Sequence, residues 1–274
     1  MATNNPLPIL ITFDGEARSG KGTIVQATKD YLRDNAGYKV MLIDAGQVFR
    51  VLVVAATRAS VDLDNPDAID EFLGDDKNVA DSMQLVKDVY HMEKEERDSL
   101  LYTNEVGHNS AKIGARPLSQ YFKDELLKRW LKDARTDGFQ VVLLDGRALE
   151  EVGAALENEG LCDFRLGLYF ICDPIVGARR TLGYAQRPYD ELSDDEKKSV
   201  DELVLQIKAR NEADEKRPVQ RLVRPAGVPI SHLPDIEKSA ESADRPMYLL
   251  DTSGEMSKED MSSPVINLVT RYIK

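Results

Sequence analysis

The stretch GEARSGKGT, Gly15 to Thr23, follows the apolar run ILITFD and leads into a helical pattern that starts at about Lys21. A glycine-rich turn between strand and helix gathers backbone N–H groups at a helix N-terminus, an arrangement that favours anionic oxygen. Gly15 and Gly20 permit backbone geometry that a Cβ would hinder. Lys21 brings a point charge toward the β- and γ-phosphates of a nucleoside triphosphate. The whole run Gly15, Glu16, Ala17, Arg18, Ser19, Gly20, Lys21, Gly22 and Thr23 therefore reads as a P-loop. Strand, glycines, lysine and helix in register separate it from a glycine-rich turn with a solvated lysine. The usual pattern puts Ser or Thr directly after the lysine, where its hydroxyl meets Mg²⁺. Here Gly22 stands there and Thr23 follows.

Around this loop, five short apolar runs predict strands of a buried parallel sheet: Pro8–Phe13, Tyr38–Ile43, Phe139–Leu144, Leu166–Cys172 and Met247–Leu250. Helical patterns lie between them, over Lys21–Asn35 and over Leu118–Thr136, where Phe122, Leu126, Leu127, Trp130 and Leu131 share one face. A last helix is expected to start with Ser263 as cap and Pro264 in its first turn. Such alternation means a three-layer α/β fold. Two stretches break it. Thr57–Pro117 is long and helical in pattern, and reads as an insertion. Leu182–Lys216 is highly charged and reads as a flap followed by a helix. Pro225–Pro246 is polar, with no predicted element.

The 274 residues suffice for one α/β domain with an insertion. A net charge of −12 and a pI near 4.9 argue against a nucleic-acid polymer as partner, yet leave room for a pocket of clustered arginines. No apolar run is long enough to span a membrane, and the start MATNNPLP carries no secretory signal pattern. The two cysteines, Cys162 and Cys172, and three histidines offer no metal-ligand constellation. A cytoplasmic setting and a monomer are the default expectations.

GKGT, with glycine after the lysine, is typical of nucleoside monophosphate kinases. Five further blocks, in order along the chain, resemble the bacterial cytidylate kinases: LIDAGQVFRVL (Leu42–Leu52), TNEVGHNSAKIGARP (Thr103–Pro117), LLDGRALEEV (Leu143–Val152), QIKARNEADEKRPVQRL (Gln206–Leu222) and YLLDTS (Tyr248–Ser253). The resemblance implies a P-loop kinase core with an acceptor-binding subdomain over 57–117 and a lid over 179–216. It implies transfer of the γ-phosphoryl of ATP, with Mg²⁺, to CMP or dCMP.

Phosphoryl transfer depends on positioning and charge neutralisation, and the planar fork of arginine grips phosphate in two places. By the resemblance, the arginines around the acceptor phosphate fall on Arg50, Arg147 and Arg217. Arg210 and Asp214 fall at the acceptor sugar, and Asp44, Gly46 and Tyr102 fall in the same acceptor set. Arg210 and Arg217, seven residues apart, are expected on one helix face, where a surface salt-bridge row is the plain alternative. Asp145, closing the run VVLLD, is the expected helper for hydrated Mg²⁺. Arg179 and Arg180 open the flap and are expected to cover the triphosphate; a solvated basic patch fits them equally.

The base-reading positions depart from the family. Its serine, aspartate and arginine are replaced here by Ala45, Ala148 and Tyr102, and Gln120 replaces another arginine, with Arg116 nearby. Tyr102, His108, Asn109 and Gln47 are candidates to read a base, with polar surface of the insertion the plainer reading for His108 and for Asn109. A kinase of another small metabolite, or a nucleotide sensor without catalysis, is the alternative function.

Overall fold

The computed structural model describes residues 5–238 and 246–274. The chain forms two compact units, one of Met1–Ile43, Leu131–Lys216 and Arg221–Lys274, the other of Asp44–Trp130 with Arg217–Gln220.

In chain order the elements begin with β1 (Ile9–Gly15), α1 (Lys21–Asp34), β2 (Val40–Asp44) and α2 (Ala45–Arg58). Four helices follow, α3 (Pro66–Gly74), α4 (Asp76–His91), α5 (Lys94–Leu101) and α6 (Asn104–Gly114), then the long α7 (Pro117–Thr136). The alternation resumes with β3 (Val141–Asp145), α8 (Leu149–Asn158), β4 (Asp163–Ile171), α9 (Pro174–Thr181) and α10 (Asp194–Glu215). It closes with β5 (Ile230–His232), β6 (Met247–Asp251) and α11 (Lys258–Ile273).

The sheet runs β2-β3-β1-β4-β6-β5. β1 pairs in parallel with β3 (Phe13 beside Asp145) and with β4 (Gly15 beside Phe170). β6 pairs in parallel with β4 and β5. Both faces are buried, which is why the strands read as continuous apolar runs. Ile11, Phe13, Leu168 and Phe170 pack on one side with Ile24 and Val25 of α1 and Val265, Leu268 and Val269 of α11. The other side carries α8, with Leu149, Val152 and Leu156 buried. Fold class is thus α/β, a parallel sheet flanked by helices.

Among the described residues six strands form the sheet instead of the five expected. The sixth, β5, lies inside Pro225–Pro246 and spans three residues with Ile230 and His232 exposed, too short to show a period of two. Residues 239–245 of that stretch lie outside the described residues. A second correction concerns α11, which starts at Lys258 and not beside Pro264. Ser257 caps it, and Asp260 returns the bond in a capping box. Pro264 sits inside the helix, where it removes one backbone donor.

In the first unit, α10 is polar on most sides. Val200, Val204 and Ile207 keep the 3–4 spacing that seats it on Ala178 of α9 and on Ala17. Its N-terminus is a capping box of Ser193 and Glu196, and Arg187 donates to both carboxylate oxygens of Glu196 at 2.7 and 2.9 Å. That pairing, aided by the Ser193 N–H, pulls the Glu196 carboxyl from the usual 4.5 down to about 2. The folded value is depressed, so the bond is intact above pH 4.5 and is lost as pH falls through about 2. A carboxyl ¹³C titration of Glu196 should show its midpoint near 2; one near 4.5 would mean that the pair does not form in solution.

The second unit is helical. Val51, Leu52, Val54, Ile69, Phe72, Leu85, Val86 and Phe122 form its core. Asn65, Asp75 and Thr103 cap α3, α4 and α6 through their side-chain oxygens.

Candidate active site

The P-loop runs from the end of β1 to the first turn of α1. Gly15 has φ 133°, and a Cβ there would clash with the carbonyl oxygen of Phe170 and lie 2.5 Å from its nitrogen. The glycine is therefore demanded by the close approach of β4 as well as by its backbone conformation. Arg18 (φ 59°) and Gly20 (φ 80°) turn the chain through left-handed conformations, the geometry that aims successive N–H groups into one hollow. The N–H groups of Lys21 and Gly22 belong to the first turn of α1 and have no carbonyl one turn back within that helix.

The Lys21 ammonium donates to the carbonyls of Gly146 (2.7 Å) and Phe13 (3.3 Å) and to the Asp145 carboxylate. An ammonium has three N–H donors, so contact with a phosphate oxygen requires at least one of these bonds to be exchanged. Asp14 is buried beneath, accepting from the N–H groups of Gly15 (2.6 Å) and Leu149 (2.7 Å). Burial raises its carboxyl above the ordinary range, against the pull of Lys21.

Arg147 follows β3. Its Nη1 donates to the carbonyl of Gly15 at 3.0 Å, and its Nε pairs with the Asp214 carboxylate at 2.8 Å. Asp214, which the resemblance puts at the acceptor sugar, is buried and serves here as the bracket for Arg147. Arg210, one turn before it on α10, is exposed. Arg217 is not on the helix face of Arg210, as its spacing suggested, because α10 ends at Glu215. Pro218 follows Arg217 and disfavours the helical conformation there. Arg217 packs with the second unit.

Arg179 and Arg180 end α9. Arg179 is buried and donates to Glu255 (2.9 Å) and to the carbonyl of Ala185 (3.3 Å). Arg180 donates to the carbonyl of Gly254 at 2.5 Å. Both guanidinium groups thus converge on the turn after β6.

In the second unit, Asp44 caps α2, accepting from the N–H groups of Gly46 (2.8 Å) and Gln47 (3.2 Å). Arg50 lies in the second turn of α2, donates to the carbonyl of Leu101 at 2.9 Å and stacks on the ring of Tyr102, 4.7 Å from its centroid. Arg50 is therefore half-buried and held by two partners. Partial burial and the nearby Asp44 push the Tyr102 phenol up to about 12. Ala45 is buried, and so is Ala148, which takes a left-handed conformation (φ 57°, ψ 38°) as the cap of α8. Gln120 is buried and donates to the Gly114 carbonyl at 2.5 Å, while Arg116 is bound to Asp70. His108 is exposed and Asn109 half-buried on α6.

Two residues not singled out in the sequence also hold the cradle. Asn211 accepts the N–H of Ala17 at 2.8 Å, and Arg224 donates to Glu16 at 2.5 and 3.1 Å. Asn211 stands beside Arg210 in ARNEAD, a signal that was present; Arg224 belongs to no recurring pattern. These two line an open cleft of about 590 Å³ with Glu16, Asp173, Lys208 and Asp251.

The oxygen donors near the cradle fit a hydrated magnesium ion. Asp145 is partly exposed beside Lys21, and Thr23 is exposed on the first turn of α1. Among the described residues no three acids, histidines or cysteines gather. Both cysteines are free and buried. No helix among the described residues is long and apolar enough to cross a membrane.

The parallel sheet, the glycine-bounded cradle and the lysine paired with a strand-end aspartate define a P-loop nucleotide kinase. The profile of the cytidylate kinase family matches residues 11–232. Cytidylate kinase of Shewanella piezotolerans is 28% identical over 228 residues, covering 78% of this chain and 83% of that one. Cytidylate kinase of Shewanella putrefaciens is 27% identical over 274 residues, covering 96% and 94%. That of Aeromonas salmonicida is 30% identical over 218 residues, covering 78% and 81%. The chain belongs to the cytidylate kinase family, within the nucleoside monophosphate kinases.

Proposed function

We propose that this enzyme moves the γ-phosphoryl group of ATP to the phosphate of a nucleoside monophosphate, with CMP and dCMP as the first acceptors to test. The observation that carries the reading is the Arg147 bracket, a guanidinium fixed by Asp214 against the carbonyl of Gly15 in the P-loop. A mere triphosphate sensor has no need of a second fixed cation there. In this reading the N–H groups of the loop and Lys21 hold the β- and γ-phosphates, and Arg147, Arg50 and Arg217 orient the acceptor phosphate for attack. Asp214 acts through Arg147, as a positioning residue. Arg179 and Arg180 hold the donor side closed and exclude water. Asp145 and Thr23 would hold magnesium through its water shell; when bound, the ion neutralises phosphate charge.

The acceptor base is read differently from the family pattern, since the methyl groups of Ala45 and Ala148 neither donate nor accept a hydrogen bond. A left-handed backbone suits aspartate better than alanine, so Ala148→Asp carries no backbone penalty. Ala45→Ser with Ala148→Asp is expected to raise kcat/KM for CMP, relative to UMP, about tenfold, as one gained hydrogen bond of about 1.4 kcal/mol would do. An unchanged ratio would show that these positions do not read the base. A coupled ADP assay over CMP, dCMP, UMP, AMP, GMP and dTMP tests the reading itself. ADP release stimulated by none of them would sink it.

A further inference from the structure

Lys123, on α7, is among the largest fully buried side chains of the protein, with 1% of its surface exposed. A buried ammonium needs polar partners, and burial without them is heavily disfavoured. Two partners come from different parts of the chain. Its Nζ donates to the side-chain carbonyl of Gln220 and lies 3.0 Å from Asp124 Oδ1. Gln220 Nε2 in turn donates to Asp124 Oδ2 at 2.7 Å. The three side chains close a ring of polar contacts within the second unit, linking α7 to the segment Arg217–Gln220. Gln220 has φ 49°, a left-handed conformation uncommon for a residue with a side chain, and such backbone persists where its surroundings hold it.

We propose that Lys123 and Gln220 are positioning residues for Arg217. Arg217 stands three residues before Gln220, past the end of α10, with Pro218 stiffening the link. The clamp anchors that segment to α7 and so helps to fix where Arg217 sits within the second unit. The inference rests on the proposed contact of Arg217 with the acceptor phosphate, and it assigns that contact's geometry to a buried lysine ninety-four residues earlier in the chain.

Two readouts test it. In Gln220→Ala and in Lys123→Met, which keeps the length and buries no charge, amide exchange of the peptide Lys216–Leu222 should quicken roughly tenfold or more. Unchanged exchange in both overturns the clamp, whatever the enzyme's substrate. With CMP as acceptor, both variants should raise the acceptor KM roughly tenfold while the ATP KM stays within about twofold. In an Arg217→Ala background the same changes should add little, because residues acting through one group are not additive. An equal rise in both backgrounds, or equal rises in the two KM values, assigns Lys123 and Gln220 a general structural role and overturns the inference. If Arg217→Ala alone leaves the acceptor KM unchanged, the phosphate contact of Arg217 fails and the inference with it. If CMP and the other monophosphates are not phosphorylated, the proposed activity fails, while the exchange measurement still decides the clamp.

Discussion

Lys21→Met is expected to lower kcat/KM about 10³-fold, the loss of about 4 kcal/mol of transition-state stabilisation. Methionine keeps the unbranched stem but cannot donate to phosphate. In the structure the ammonium already faces three oxygen acceptors at the strand ends of β1 and β3, those of Phe13, Gly146 and Asp145. In the proposed role the ammonium trades one of these partners for a phosphate oxygen and offsets the charge that builds on the leaving β-phosphate. The variant should fold, since the stem is only partly buried. Its thermal transition and its steady-state kinetics with CMP settle the matter together. A folded Lys21→Met enzyme that retains a tenth of wild-type turnover would contradict the role given to the lysine.

Gly15→Ala should be the most destabilising single change in the loop. The added methyl would run into the backbone of Phe170, which is itself locked in the β1–β4 register. No flexible side chain is available to move aside, and φ 133° is closed to alanine. We expect a loss of more than about 3 kcal/mol, enough to lower the unfolding temperature by roughly 6–12 °C in a chain of this size. Gly22→Ala is the matched control. Its Cβ would meet nothing within 4 Å, and its backbone is helical. It should be neutral or stabilising by up to about 1 kcal/mol. Calorimetry on the pair checks both; equal stability of Gly15→Ala and the parent protein would show that β4 does not lie against the loop.

These two glycines illustrate what was legible in the sequence. The P-loop is a local object: strand, turn, lysine and helix are contiguous, so the pattern of residue types alone outlines it. The same holds for the buried strands, each recovered to within about three residues as an apolar run, and for the long amphipathic α7. What escaped depends on competition or on distance. Pro264 looked like a helix start, but the capping box of Ser257 and Asp260 was the stronger local signal. β5 has only three residues and takes its identity from β6 beside it. Arg217 kept the heptad-like spacing from Arg210, yet the proline after it ended the helix first. Asn211, Arg224 and Lys123 act through partners 194, 208 and 97 residues away, and no periodicity records such a contact.

Among the residues proposed for the acceptor, the side-chain types were readable and their present partners were not. Asp214 is an aspartate in a charged run until the fold buries it against Arg147. Arg50 is an arginine on a helix until Tyr102 and the Leu101 carbonyl fix it. By the resemblance Tyr102 falls where the cytidylate kinases have an arginine, and in the structure its ring faces the Arg50 guanidinium.

The most direct measurement is a ³¹P NMR time course of ATP, Mg²⁺ and CMP with the purified enzyme. The account predicts that the γ-resonance of ATP falls as the two resonances of CDP appear in equal amount, with no matching rise of inorganic phosphate. Loss of ATP with only inorganic phosphate formed, for CMP and for every other monophosphate supplied, would contradict it.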